Sequence, residues 1–191
     1  MRLFTGIELN ASVVQAAGEL VGELSKRSEQ LAPRSRIAWV TAERMHVTVR
    51  FIGHKDDDAC ARIRAVLEDP VPVSPFTVRA AHLGSFPPRG SPRVIWAGLS
   101  GDVEHLEAVE RDVTARLSRV GIPPEDRPYS PHLTLGRVKE PGGLKTAPLF
   151  RDLEDVVLGA TVVEAITLFE SRVSSKGPTY VPLQRTLLRA T

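Results

Sequence analysis

The sequence predicts an α+β protein of two pseudo-symmetric lobes, each an antiparallel sheet with helices, around a central cleft. Three observations carry that expectation. First, two tetrapeptides of one form, His46-Val47-Thr48-Val49 and His132-Leu133-Thr134-Leu135, alternate polar and apolar residues, as half-buried strands do. Second, each is followed by a stretch with helical character, from Asp56 onward and from Ala147 onward. Third, strand-like runs bounded by Gly and Pro follow each motif region. The pattern, though not the residues, is thus repeated across the 86 residues that separate His46 from His132.

The elements follow in order. Leu3 to Leu9 is a strand, and Asn10 is placed to cap a helix whose apolar face is Val13, Val14, Ala17, Leu20, Val21 and Leu24. After a loop at Pro33 to Arg36, Ile37 to Val40 forms a short strand and Met45 to Ile52 the first motif strand, ended by Gly53. The acidic run Asp56-Asp57-Asp58 suits a helix start, where carboxylates meet the positive end of the helix dipole. Pro70 to Pro75 is a rigid linker. Two strands, Phe76 to Leu83 and Arg93 to Leu99, flank turn chemistry at Ser85 to Pro92. A helix from Asp102 to Val120 carries the stripe Val103, Leu106, Val109, Val113 and Leu117, and Gly121 with Pro123-Pro124 stops it. The second motif strand runs from His132 to Val138, a short helix occupies Ala147 to Leu158, and Thr161 to Glu170 and Tyr180 to Leu188 close the chain as a pair of strands.

Composition bounds the function. The 191 residues suit a single domain, 1–191, made of two intertwined lobes, and are enough to bury a core unaided. A net charge of +2 does not mark a bulk polyanion binder, so any contact with a polyanion falls to individual Arg side chains near the cleft. The one cysteine, Cys60, cannot form an internal disulfide, and no signal-peptide pattern or membrane-length apolar run is present. A cytoplasmic protein without membrane attachment or an obligate protein partner is expected.

The two motifs carry the chemistry. Side chains two apart in a strand share a face, so each motif presents an imidazole and a hydroxyl together. Cleaving a phosphodiester requires one group to take a proton from the nucleophile and another to give one to the leaving oxygen. Histidine titrates near neutrality and can serve in either role. The hydroxyls of Thr48 and Thr134 can donate to non-bridging phosphate oxygens, and an Arg can offset their charge. Arg50 shares strand parity with His46, so it enters the cleft only if no bulge intervenes. Arg137 has the opposite parity to His132 and needs Gly136 to bend the strand. Tyr129 and Phe51 are the candidates for stacking a nucleobase, core packing being the competing role for Phe51. A zinc site needs three or four His, Cys or carboxylate ligands, and each motif offers one imidazole, so no metal is expected. No phosphate-binding glycine loop is present, so no nucleotide cofactor is expected.

These residues resemble a known family. Arg2 to Ile7, the block from His46 to Gly53, Phe86-Pro87-Pro88, the stretch from Arg93 to Gly98, and Pro128 to Arg137 with its lead-in to the second motif are similar to the two-histidine phosphoesterases. So are Leu168 to Ser171 and Gly177 to Tyr180 in the closing hairpin. Within that superfamily the chain resembles the LigT/ThpR type, RNA 2',3'-cyclic phosphodiesterases historically called 2'-5' RNA ligases. The resemblance implies the LigT-like bilobal fold, with one histidine from each lobe. It further implies that His132 acts as proton acceptor toward water and His46 as proton donor to the departing 3' oxygen, leaving a 2'-phosphate. The substrates implied are RNA ends or nucleotides bearing a 2',3'-cyclic phosphate, with 2'-5' ligation as the reverse reaction. Two competing readings are an RNA-end-binding module without catalysis and a phosphodiesterase acting on a small cyclic nucleotide metabolite.

Overall fold

In the computed structural model, which describes residues 1–153, 155–174 and 177–190, the chain alternates strands and helices. The first half runs β1 (Arg2–Glu8), α1 (Ala11–Leu31), β2 (Arg36–Trp39), a 3-10 turn (Ala42–Arg44), β3 (His46–His54) and α2 (Asp57–Val66). The second runs β4 (Phe76–Phe86), β5 (Val94–Gly101), α3 (Val103–Ser118), β6 (His132–Glu140), α4 (Thr146–Phe150), β7 (Val157–Val163), β8 (Ala165–Ser174) and β9 (Gly177–Leu187). The named strands pair antiparallel in one curled sheet of order β7-β4-β5-β6-β3-β1-β8-β9, with β2 added against β6.

The motif strands take their place because of their alternation. Val47, Val49, Leu133 and Leu135 are buried, whereas His46, Thr48, His132 and Thr134 are half-buried on the other face. Full burial of such an aliphatic side chain is worth about 1.5–3 kcal/mol. A one-residue slip would exchange these sets and bury imidazoles and hydroxyls instead, so the register is firmly specified.

Two cores lie under the sheet. One joins Leu3 and Ile7 of β1, Val47 and Val49 of β3, Ile63 of α2 and the stripe Leu106, Val109, Val113 and Leu117 of α3. The other joins Val13, Ala17, Leu20 and Leu24 of α1 with Ile95 and Ala97 of β5, Leu133 and Leu135 of β6, and Leu149 of α4. Each core therefore holds one motif strand. β1 and the helix that follows it belong to different cores, and so do β5 and the helix that follows it. That crossing of the chain interlocks the two halves.

Several local expectations are corrected. The helix expected over Ala147 to Leu158 is only the short α4, and β7 begins at Val157 (Glu154 lies outside the described residues). Arg151 leaves helical geometry with ψ 133° and Asp152 follows at φ 62°, while Val156-Val157 favour extended chain. The stretch Thr161 to Glu170 is two strands broken at Glu164, because β7 pairs with β4 at one end of the sheet and β8 with β1 toward the other. The Pro70 to Pro75 segment is anchored: Val71 is fully buried and bridges Leu188, and Arg116 donates to the carbonyls of Asp69 (2.5 Å) and Pro70 (2.8 Å). Asp56 caps α2 by accepting from the Ala59 amide at 2.7 Å. Asn10 stands at the start of α1 but its side chain donates instead to the Ala160 carbonyl, fastening the helix start to β7.

Candidate active site

The two motif strands meet at one antiparallel bridge, Val47 to Leu133. An antiparallel register through that pair sets His46 opposite Thr134 and Thr48 opposite His132. The register is therefore crosswise, each histidine standing opposite the threonine of the other motif.

Both imidazoles are oriented in the same way. His46 Nδ1 lies 2.7 Å from the Arg44 carbonyl, and His132 Nδ1 lies 2.7 Å from the Ser130 carbonyl. A carbonyl only accepts, so each Nδ1 carries the proton in the neutral ring and each Nε2 is left to take or give one. Aromatic rings fix the planes. Tyr180 stands edge-on to His46 at 5.0 Å with Phe4 at 4.8 Å, and Phe86 stands edge-on to His132 at 5.1 Å. One difference separates them: His46 Nε2 has Thr48 Oγ1 at 3.1 Å, so in the neutral site the Thr48 hydroxyl donates to it. Both rings are held below the ordinary histidine range, chiefly by burial. The backbone carbonyls oppose that effect, while Arg137 lowers both and His132 further lowers His46.

Both strands bulge at the same motif position. Along β3, Gly6 pairs with Thr48 but Thr5 with Arg50, skipping Val49; along β6, Trp96 pairs with Thr134 but Ile95 with Gly136, skipping Leu135. The extra residue reverses the parity beyond it. Phe51 and Arg137, each five residues after its histidine, therefore turn to the cleft. Arg50 and Gly136, each four residues after, turn away.

Comparisons with known proteins identify the family. Residues 20–173 match the family model of the 2'-5' RNA ligase superfamily. This chain belongs to that superfamily. The RNA 2',3'-cyclic phosphodiesterase of Archaeoglobus fulgidus is 31% identical over 184 residues, spanning 96% of this chain and 98% of that protein. That of Aeropyrum pernix is 31% identical across 86% of this chain and 94% of its own. The crystal structure of TT0787 of Thermus thermophilus superposes with TM-score 0.74 at 26% identity, covering 100% of this chain and 99% of that one. E. coli LigT complexed with 3'-AMP shares the fold, with TM-score 0.70 at 21% identity over 98% and 97% of the two chains.

Within this superfamily member the bulge corrects the placement of Arg50. Its side chain is 3% exposed, lies 2.7 Å from Glu125 Oε1 and donates to the Pro123 carbonyl, so it is not a cleft cation. Arg137 is exposed at the cleft and makes no ion pair among the described residues. Gly136 is required there because Trp39 lies over it, and a Cβ would come within 2.7 Å of the indole. Tyr129 donates its hydroxyl to the Thr48 carbonyl at 3.1 Å and packs on the first core. Burial, with Glu110 and Glu107 nearby, pushes its phenol far above the ordinary range. Its ring still walls the cleft, but its hydroxyl is committed to holding the two motifs together.

Two cavities flank the bridge and meet at Phe51, which is 50% exposed. One, of about 590 Å³, holds His46, Thr134, Arg2, Arg44, Arg137 and Tyr180. The other, of about 980 Å³, holds His132, Thr48, Phe86, Arg93, Arg127 and Tyr129. The crosswise pairing of His and Thr is thus repeated in the cavities. Among these, Tyr180, Phe86, Arg2, Arg44, Arg93 and Arg127 were given no role by sequence reasoning. Local spacing does not mark Arg2 of β1, Phe86 at the end of β4, Arg93 just before β5 or Tyr180 of β9, which come to the motifs from distant chain, whereas Arg44 and Arg127 lie in the segments that lead into His46 and His132. The carbonyls of Arg44 and Ser130 are invisible in principle, since any residue supplies a carbonyl. Among the described residues no group of three or more His, Cys, Asp or Glu is placed to hold a metal ion, and no helix is long and apolar enough to cross a membrane.

Proposed function

We propose that this chain hydrolyses the 2',3'-cyclic phosphate of RNA ends or nucleotides to a 2'-phosphomonoester, with His46 and His132 as the acid–base pair. The observation that carries the reading is the matched pair of imidazoles on two strands, each tied through Nδ1 and each offering Nε2 across one bridge. The relatives named RNA 2',3'-cyclic phosphodiesterases, about 30% identical over most of their length, support the substrate class.

The phosphate sits between the cavities. His132 Nε2 takes a proton from water as the water oxygen bonds to phosphorus. The bond from phosphorus to O3' breaks, and His46 Nε2 gives its proton to O3'. Thr48 and Thr134 donate to the non-bridging oxygens, and Arg137 balances their charge. The phosphate anion also opposes the burial that disfavours imidazolium, so substrate binding raises the protonated fraction of His46. As His46 gains its proton, the Thr48 hydroxyl is released from Nε2 to the phosphate. With a 5'-hydroxyl RNA end in place of water, the same steps give a 2'-5' linkage. Phe51, at the meeting of the cavities, stacks the nucleobase. The open double cavity suits a nucleotide or RNA end better than a small enclosed metabolite. We place the protein in a reducing compartment such as the cytoplasm, with the single Cys60 buried as a free thiol.

Phosphorus NMR of a 2',3'-cyclic nucleotide with enzyme and EDTA tests this reading. The expected product is a 2'-phosphate, formed by wild type and by neither His46→Ala nor His132→Ala. An intact cyclic phosphate on both a mononucleotide and an RNA end would leave a binding module as the remaining reading.

A further inference from the structure

We propose that Arg50 is a positioning residue that ties the approach to His132 to the first motif strand and so holds the two imidazoles in one geometry. The inference rests on the acid–base reading above and concerns the support of His132.

The two orienting carbonyls are supported differently. Arg44 lies in a 3-10 turn held by its own backbone, with Arg44 N donating to Thr41 O at 2.9 Å and Met45 N to Ala42 O at 3.1 Å. Ser130 lies near the end of the connection from α3 to β6, and residues 122–131 form no helix or strand. Connections without secondary structure are where conformational multiplicity concentrates, so what ties this one down sets the place of Ser130. Besides Ile122, which is buried in the first core and donates its amide to the Leu117 carbonyl at 3.1 Å, the polar side-chain ties come from β3. The Arg50 guanidinium donates through Nη2 to Pro123 O, and Glu125 Oε1 lies 2.7 Å from Nη1, an ion pair outside hydrogen-bond geometry. Glu110 on α3 is the other carboxylate acting on it. Two residues after Thr48, Arg50 anchors the start of this segment, and the Tyr129 hydroxyl on the Thr48 carbonyl anchors its end. The next residue, Ser130, receives the Nδ1 proton of His132. At the matching position of the other strand stands Gly136, so the bulge itself has no need of a cation. What differs is the segment each position faces.

The experiment compares wild type with Arg50→Met, Arg50→Lys and Glu125→Gln. It reads kcat and KM on a 2',3'-cyclic nucleotide, nitrogen NMR of both histidine rings, and the denaturant midpoint. Arg50→Met is expected to lower kcat on the order of tenfold to a hundredfold, as misplacement of a catalytic group does, with KM within about twofold. The His132 ring signals move and the His46 signals stay. Without the Ser130 contact that favours imidazolium, the acid limb of the rate profile moves to lower pH. Arg50→Lys restores part of kcat, and Glu125→Gln gives a smaller change of the same kind. Should Arg50→Met not fold, Glu125→Gln reads the same ring signals. Unmoved His132 signals, or a rate loss no greater than the loss of folded protein, would overturn the proposal. Failure of wild type to open the cyclic phosphate would instead overturn the acid–base reading, since the ring signals report position without turnover.

Discussion

The strands that carry His46 and His132 are built alike for four residues and then diverge. Each has an imidazole tied back to the carbonyl two residues earlier, a hydroxyl beside it, two buried aliphatics and a bulge at the fourth residue. Beyond the bulge the first strand puts Phe51 into the cleft and buries Arg50, while the second puts Arg137 into the cleft and leaves Gly136 beneath Trp39. In the proposed reaction the shared part supplies the two proton-transfer groups. The divergent part makes the halves unequal, with an exposed aromatic ring on one side and a cation on the other, which the proposed reaction uses for the base and the phosphate. A duplicated scaffold thus acquires direction from the residue that follows its bulge.

The largest expected effect tests the shared part. His46→Ala and His132→Ala should each lower the hydrolysis rate by roughly 10²–10⁴, the usual worth of a proton-transfer role, while leaving the fold intact by circular dichroism. A loss below about tenfold for either variant would mean that its imidazole transfers no proton. The next effect tests the divergent part. Arg137→Ala should reduce kcat/KM on the order of tenfold to a hundredfold, since a hydrogen bond to a charged group is worth about 1.5–3 kcal/mol. Phe51→Ala should raise KM about tenfold with little change in kcat, from a stack worth about 1–3 kcal/mol. Equal effects of the two on KM and kcat would erase the proposed division of labour.

Gly136→Ala addresses the bulge itself. The added Cβ meets Trp39 at 2.7 Å, and overpacking of this kind costs typically about 1–3 kcal/mol, readable by urea unfolding. Smallest is the pH effect. Both histidines are held below 6.5, so the free enzyme keeps one proton on the pair only on the acid side of neutrality. The kcat/KM optimum should lie below pH 6.5. The basic limb of kcat should lie higher than that of kcat/KM, because bound phosphate favours imidazolium. An optimum above pH 7.5 for kcat/KM would contradict the burial argument.

How much of this was legible follows from where the information sits. Period-two alternation gave both motif strands, and helical spacing with its stop signals gave α1 and α3, because those patterns answer to one buried face. The bulge requirement for Arg137 was readable from parity and Gly136. The same bulge in β3 has no glycine to mark it, so the burial of Arg50 was not. Residues 147–158 were misread because β7 is decided by pairing with β4, a contact more than seventy residues away in the chain. Tyr180 beside His46 and Phe86 beside His132 depend on the sheet order, which no local pattern encodes.

The central claim is a division of proton transfer between two near-equivalent histidines, and a substrate with sulfur in place of the bridging 3' oxygen tests it most directly. A thiolate leaves without needing a proton, so general-acid catalysis becomes dispensable while general-base catalysis does not. On that substrate His46→Ala should recover most of the wild-type rate, and His132→Ala should stay as slow as on the oxygen ester. Recovery of His132→Ala instead would reverse the two roles, and recovery of neither would contradict an acid–base division altogether.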